Sequence, residues 1–242
     1  MTWRADQQRA TYRSATGSRA ATGLRSHRGL LLDLDGTLAD SLGVMYSVYE
    51  QFLERVGRAG AATTNEFNEL NGPRLEEVVE RLRTTHGLDE LRTDELLSMY
   101  REVLDGAMLA GRPSAGAEAL LTKAHRGGWS TCVVTSGRSD LTRRWLVVSG
   151  LEALVDHVVG GEMVGRGKPD PECYLTGLAL CDADPGVSLA VEDSVPGAQA
   201  AIAAGIRTLF IVPIGDGEPS SAPPGAAGVV RRLADVAEEL DR

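Results

Sequence analysis

Lysine is nearly missing from this chain: Lys123 and Lys168 stand alone, and arginine carries the rest of the positive charge. Cysteine is scarce too. Cys132, Cys173 and Cys181 make up an odd set with no CxxC pair, so neither a disulfide framework nor a zinc site is indicated, and reduced thiols in the cytoplasm are expected. No apolar run approaches the roughly 20 residues that a membrane-spanning helix needs, which argues against a membrane role. Net positive charge is absent as well: the formal charge is −9, whereas a nucleic-acid binder needs a basic face to displace counterions from phosphates. Acidic residues, conversely, are almost missing from the first stretch. Residues 1–28 set Arg4, Arg9, Arg13, Arg19, Arg25 and Arg28 against Asp6 alone, without an amphipathic stripe or the apolar segment of a secretory signal, and they read as a basic, disordered tail.

What remains is ample for a buried core. At 242 residues the chain can hold one large α/β domain, or a core with a smaller companion. From Leu30 onward short apolar runs alternate with helical periodicity. Buried strands are expected at Leu30–Leu34, Thr131–Thr135, Val155–Val159, Ser188–Val191 and Thr208–Val212. Helices are expected between them, at Ala115–Lys123, Leu141–Val148, Pro171–Leu180 and Ala198–Ala204. Such alternation implies βαβ units in a mostly parallel sheet covered on both faces, with ligands outside the carboxyl ends of the strands. The interval from Ser41 to Arg112 is too long for one crossover. Leu42, Met45, Tyr46, Tyr49, Phe52, Leu53 and Val56 fall at helical spacing there, and more helix is expected over Leu75–Leu82 and Asp94–Leu109. Asn71-Gly72-Pro73 is a breaker between them. The chain accordingly divides into the tail over 1–28, a core over 29–41 and 113–242, and an inserted helical domain over 42–112. The one biased segment late in the chain is the Gly215–Gly225 loop.

Four polar clusters fall at the ends of expected strands or in the loops that follow, along one edge of the sheet. Leu30-Leu31-Leu32-Asp33-Leu34-Asp35-Gly36-Thr37-Leu38 runs a strand into two carboxylates two residues apart, and residues i and i+2 share a face. Alone, the pair also fits a simple turn. Thr135-Ser136-Gly137 offers a hydroxyl and loop amides that can bind an anion, or again a polar turn. Gly167-Lys168-Pro169-Asp170-Pro171 sets one of the two lysines in a loop leading to a helix. In a chain built on arginine this suggests that a compact point charge was needed, although a lone lysine is more often a surface residue. Leu189-Ala190-Val191-Glu192-Asp193-Ser194 closes another apolar run with a second acidic pair, which also suits an N-cap before the helix near Pro196. Together these residues supply carboxylates from two strands, one ammonium and one hydroxyl. A hard divalent cation, most simply Mg²⁺, would offset the mutual repulsion of Asp33, Asp35, Glu192 and Asp193.

The order Asp-x-Asp-Gly-Thr, Val-Val-Thr-Ser, Gly-Lys-Pro, Glu-Asp-Ser, with a helical insertion after the first motif, resembles the haloacid dehalogenase (HAD) superfamily over about Leu30 to Val212. The resemblance implies an α/β fold: a Rossmann-like HAD core with a mostly parallel sheet and an inserted α-helical cap, as in the β-phosphoglucomutase and phosphoglycolate phosphatase group. It implies that Asp33 attacks phosphorus to form an aspartyl-phosphate. Asp35 would act as general acid and base, its backbone carbonyl helping to hold Mg²⁺. Thr135 and the Ser136 amide would grip the non-bridging oxygens, Lys168 would neutralise charge shared with Asp33, and Asp193 with Glu192 would complete the metal site. The same resemblance makes the turn at Asn71-Gly72-Pro73 a substrate-specificity loop, with Arg74 reading the non-transferred end of the substrate through its planar donor fork. From the residues alone, Arg74 is equally a first-turn helix residue facing solvent.

Other reactions of the superfamily fit less well. A dehalogenase has no alkoxide to protonate, so Asp35 favours phosphate esters. The phosphonatases use a cap lysine as a Schiff base, and no lysine lies between Ser41 and Arg112. The β-phosphoglucomutases carry a histidine where this chain has Met45. The expectation is a Mg²⁺-dependent phosphatase, monomer or small homo-oligomer, acting on a small phosphorylated metabolite of the sugar-, cyclitol- or glycolate-phosphate type. A hexose-phosphate mutase and a catalytically idle regulatory module are the alternatives.

Overall fold

Leu30 and Leu32 face one way along the first strand and Leu31 the other, and all three are fully buried, as a strand inside a two-sided sheet demands. In a computed structural model, which describes residues 27–107, 110–212 and 222–241, this strand, β1 (Arg28–Leu32), sits near the middle of a six-stranded sheet. Its companions are β4 (Trp129–Val134), β5 (His157–Val159), β6 (Leu189–Glu192), β7 (Arg207–Ile211) and β8 (Gly228–Val230), in the order β5-β4-β1-β6-β7-β8 and parallel at every pairing. One face packs on α5 (Ala117–Arg126), α6 (Ser139–Val148) and α9 (Leu233–Glu239), through Leu30, Leu32, Val133, Leu120, Trp145 and Val236. The other packs on α7 (Glu172–Leu180) and α8 (Val195–Ala203), through Leu31, Val134, Ala190, Tyr174 and Ala200. The chain moves outward from β1 in both directions, to β4 and to β6, so the crevice of the sheet opens at the carboxyl ends of these three strands.

The insertion leaves and returns through a two-stranded antiparallel ribbon, β2 (Ala39–Asp40) with β3 (Arg112–Pro113). Between them lie α1 (Leu42–Arg55), α2 (Thr64–Leu70), α3 (Leu75–Thr85) and α4 (Thr93–Ala107). Their inward faces gather a separate apolar cluster around Tyr49, Phe52, Val79, Leu82 and Leu96. The Phe52 and Tyr100 rings meet there at 4.9 Å, and Tyr46 and Phe67 meet edge-on at 5.3 Å.

Several boundaries differ from the expectations. β1 starts at Arg28 and ends at Leu32, so Asp33 stands just beyond the strand. Arg28, expected in the tail, pairs with Trp129 in the sheet and lays its guanidinium over that ring at 4.6 Å. Residues 1–26 of the tail, and residues 215–221 of the late loop, lie outside the described residues. α5 starts at Ala117, because Gly116 before it takes a left-handed φ of 89°. α2, β8 and α9 were not expected. Among the described residues no helix is long and apolar enough to cross a membrane.

Candidate active site

The four clusters meet at the carboxyl edge of the sheet. Asp33 and Asp35 follow β1, Thr135 and Ser136 follow β4, Lys168 lies in the loop before α7, and Glu192 and Asp193 close β6. Lys168 is no surface lysine; it is 3% exposed. Its Nζ donates to Asp33 Oδ1 at 2.6 Å, to the Val134 carbonyl at 3.2 Å and to Glu192 Oε1. Burial alone would lower this ammonium, but the Asp33 and Glu192 carboxylates overcome it and hold Lys168 above its usual range.

Glu192 is fully buried and both its oxygens are engaged. Oε1 also accepts from the Tyr174 hydroxyl at 2.8 Å, and Oε2 accepts from the Ser194 hydroxyl at 3.0 Å and the Ser194 amide at 3.4 Å. Ser194 in turn caps α8, accepting from the Gly197 amide at 3.2 Å. The N-cap and the acidic pair thus coexist in one loop. Glu192 leaves no space for a side chain at position 197, where a Cβ would lie 2.0 Å from Oε1.

Asp193 differs. Its Oδ2 accepts from Asn71 Nδ2 at 2.9 Å, while its Oδ1 is buried without a partner among the described residues. Burial and the adjacent Glu192 charge push its carboxyl up to about 8. Asp33 is likewise pushed up by burial, against the pull of Lys168 and with Glu192 and Asp193 adding to the rise. Carboxylate oxygens of Asp33, Glu192 and Asp193 lie within 4.8 Å of one another, and Asp35 adds a fourth acid faced by the single ammonium of Lys168. An all-oxygen donor set, an orphaned buried oxygen and excess negative charge fit a hard divalent cation. Gly36, at φ 83°, makes this approach feasible: a Cβ there would lie 2.1 Å from Asp193 Oδ2.

Asp35 accepts from the Ser41 hydroxyl at 2.6 Å. Burial raises its carboxyl, more than that hydrogen bond and Lys168 lower it. Thr135 Oγ1 accepts from the Gly137 amide at 3.0 Å, which leaves its proton free to donate. The Ser136 hydroxyl donates to the Gly72 carbonyl. Arg74 is the N-cap residue of α3, half-buried rather than facing solvent. It lines the cavity, but its Nη2 and Nη1 donate to the Val164 and Gly165 carbonyls at 2.8 and 3.3 Å. The Asn71–Arg74 turn therefore touches three of the four clusters or their flanking loops. A cavity of about 690 Å³ opens above Asp33, Asp35, Thr135 and Ser136 and is roofed by α1 to α4.

Three contributors escaped the sequence reading. Tyr174 is one, although it is the aromatic of α7; Ser41 is another. The third is Asn71, whose only signal was its place in the breaker.

The comparisons agree with this geometry. The model of the haloacid dehalogenase-like hydrolases matches residues 30–211. Hexitol phosphatase A of Escherichia coli is 28% identical over 184 residues, 76% of this chain and 82% of that protein. β-Phosphoglucomutase of Bacillus subtilis is 27% identical over 222 residues, 88% of this chain and 93% of that protein. The crystal structure of CbbY from Rhodobacter sphaeroides, in complex with phosphate, superimposes with a TM-score of 0.74 at 22% identity over 89% of this chain and all of that one. With six parallel strands, the acid edge and a matching family model spanning all four clusters, the chain belongs to the haloacid dehalogenase-like hydrolases.

Proposed function

We propose that this hydrolase is a Mg²⁺-dependent phosphatase of a small metabolite's phosphate monoester, working through an aspartyl-phosphate on Asp33, with α1–α4 acting as a cap over the core. The observation that carries the reading is the pairing of Asp33 Oδ1 with a buried lysine, beside a carboxylate oxygen of Asp193 that has no partner among the described residues. Lys168 occupies one oxygen of Asp33 and leaves the other to attack phosphorus. The ester P–O bond breaks as Asp35, where burial favours the protonated form, donates a proton to the leaving alkoxide. Asp35 then takes a proton from water, which attacks the aspartyl-phosphate, frees inorganic phosphate and restores Asp33. The Thr135 hydroxyl and the Ser136 amide hold the non-bridging oxygens. Bound by Asp33, Asp193 and the Asp35 carbonyl, Mg²⁺ would shield the phosphoryl oxygens from these carboxylates. Glu192, saturated by Lys168, Tyr174 and Ser194, serves by fixing Lys168. Three free, buried cysteines suit a cytoplasmic setting.

The test is phosphate release from a panel of sugar, cyclitol and glycolate phosphates, with Mg²⁺ and with EDTA. Metal-dependent release supports the reading. Interconversion of a hexose 1-phosphate and 6-phosphate without release would replace it with the mutase, the activity named for the Bacillus subtilis relative. No turnover of any ester would leave the idle module.

A further inference from the structure

The cations that reach the cavity wall are already engaged. Arg74 spends both terminal nitrogens on the Val164 and Gly165 carbonyls, with the Glu172 charge close by, and its Nε is buried against Gly167. Arg101 pairs with Glu76 at 2.7 Å. Arg138 grips both oxygens of Asp140, at 2.9 and 2.8 Å, and also feels Asp105 and Glu162. Glu76, Asp105 and Glu162 themselves line the cavity. Beyond the phosphoryl end, then, the described wall carries acids that match or outnumber its available cations. A second anionic group on the substrate would share Arg101 with Glu76 or Arg138 with Asp140, so each guanidinium charge it met would already be balanced by a carboxylate that stays beside the newcomer. Phe67, Leu70, Val78 and Leu104 give the wall an apolar part. At about 690 Å³ the space is in the range that takes ligands larger than a two-carbon acid.

Resting on the phosphatase reading above, we propose that the substrate is the monophosphate of a neutral or amine-bearing polyol of hexitol or cyclitol size. Esters with a second anionic group, such as 2-phosphoglycolate and sugar bisphosphates, are selected against. The apolar wall covers the C–H face of a polyol, and an amine would meet Asp105 and Glu162. An extra carboxylate or phosphate would be desolvated among like charges.

The experiment measures kcat/KM with Mg²⁺ for sorbitol 6-phosphate, myo-inositol 1-phosphate, glucosamine 6-phosphate, 2-phosphoglycolate, fructose 1,6-bisphosphate and p-nitrophenyl phosphate. The expected result is that the best neutral or amine-bearing ester exceeds both 2-phosphoglycolate and fructose 1,6-bisphosphate at least about tenfold, as like-charge juxtaposition implies. Asp105→Lys is expected to shift the ratio of 2-phosphoglycolate to sorbitol 6-phosphate upward by at least about threefold, because it converts an acid of the wall into a cation. A ratio is insensitive to the fraction of protein that folds. Preference for 2-phosphoglycolate or the bisphosphate, or a ratio unmoved by Asp105→Lys, overturns this inference while leaving the phosphatase reading intact. Failure to hydrolyse even p-nitrophenyl phosphate overturns both.

Discussion

Glu192→Gln removes one charge and almost no volume, so it isolates what the buried carboxylate contributes. In the native protein Glu192 accepts four hydrogen bonds, from Lys168, Tyr174 and twice from Ser194, with no solvent exposure. An amide offers one acceptor oxygen and two donors. If its oxygen stays with Lys168 and Tyr174, its NH₂ group confronts the Ser194 amide, and that donor loses its partner. The Ser194 hydroxyl can turn to accept, but it also holds the Gly197 amide. Lys168 meanwhile keeps Asp33 as its one carboxylate partner. Breaking a buried ion pair by removing one partner costs about 3–5 kcal/mol. For a protein of this size each kcal/mol moves Tm by roughly 2–4 °C, so thermal unfolding in EDTA is expected to fall by about 6–20 °C. A Tm within about 2 °C of the native value, equivalent to less than 1 kcal/mol, would refute the reasoning.

Three further outcomes follow from the same geometry. Asp193→Asn is expected to weaken Mg²⁺ binding, read by calorimetry, at least about tenfold, while Glu192→Gln changes it less, since only Asp193 presents an unpartnered oxygen; equal losses would contradict that division. EDTA is expected to abolish turnover and Mg²⁺ to restore it, and full activity in the chelator would exclude the cation site. Arg74→Ala removes the two hydrogen bonds that tie α3 to the loop before Lys168, so KM is expected to rise by roughly tenfold for a polyol phosphate and for p-nitrophenyl phosphate alike, the scale of one or two charged hydrogen bonds; an effect confined to the polyol ester would show instead that Arg74 reads the substrate.

The core of the site was legible because each piece has a local cause. An apolar run must end where the chain leaves the sheet, so acids or hydroxyls directly after such runs, at Asp33, Thr135 and Glu192, had to share one edge. Lys168 stood out by the rarity of lysine. Its burial was not legible, because that depends on two carboxylates brought from positions 33 and 192. Tyr174 and Asn71 act through contacts that span 18 and 122 residues, which no local pattern encodes. α2 was missed because seven residues are too short to display helical periodicity, and its start is fixed by one contact, Thr63 accepting from the Glu66 amide. β8 escaped because Gly228 and Val230 are only partly buried and Val229 is exposed on an edge strand, and they lack the long apolar run of β1.

The most direct test of the central claim is phosphate release by Asp33→Asn with Mg²⁺ present, on the best substrate and with native Tm as the control for folding. The amide is nearly isosteric but cannot attack phosphorus, so turnover is predicted to fall at least about a thousandfold, the scale of removing a covalent nucleophile. Activity within about tenfold of the native enzyme, in protein free of contaminating phosphatase, would contradict covalent catalysis by Asp33.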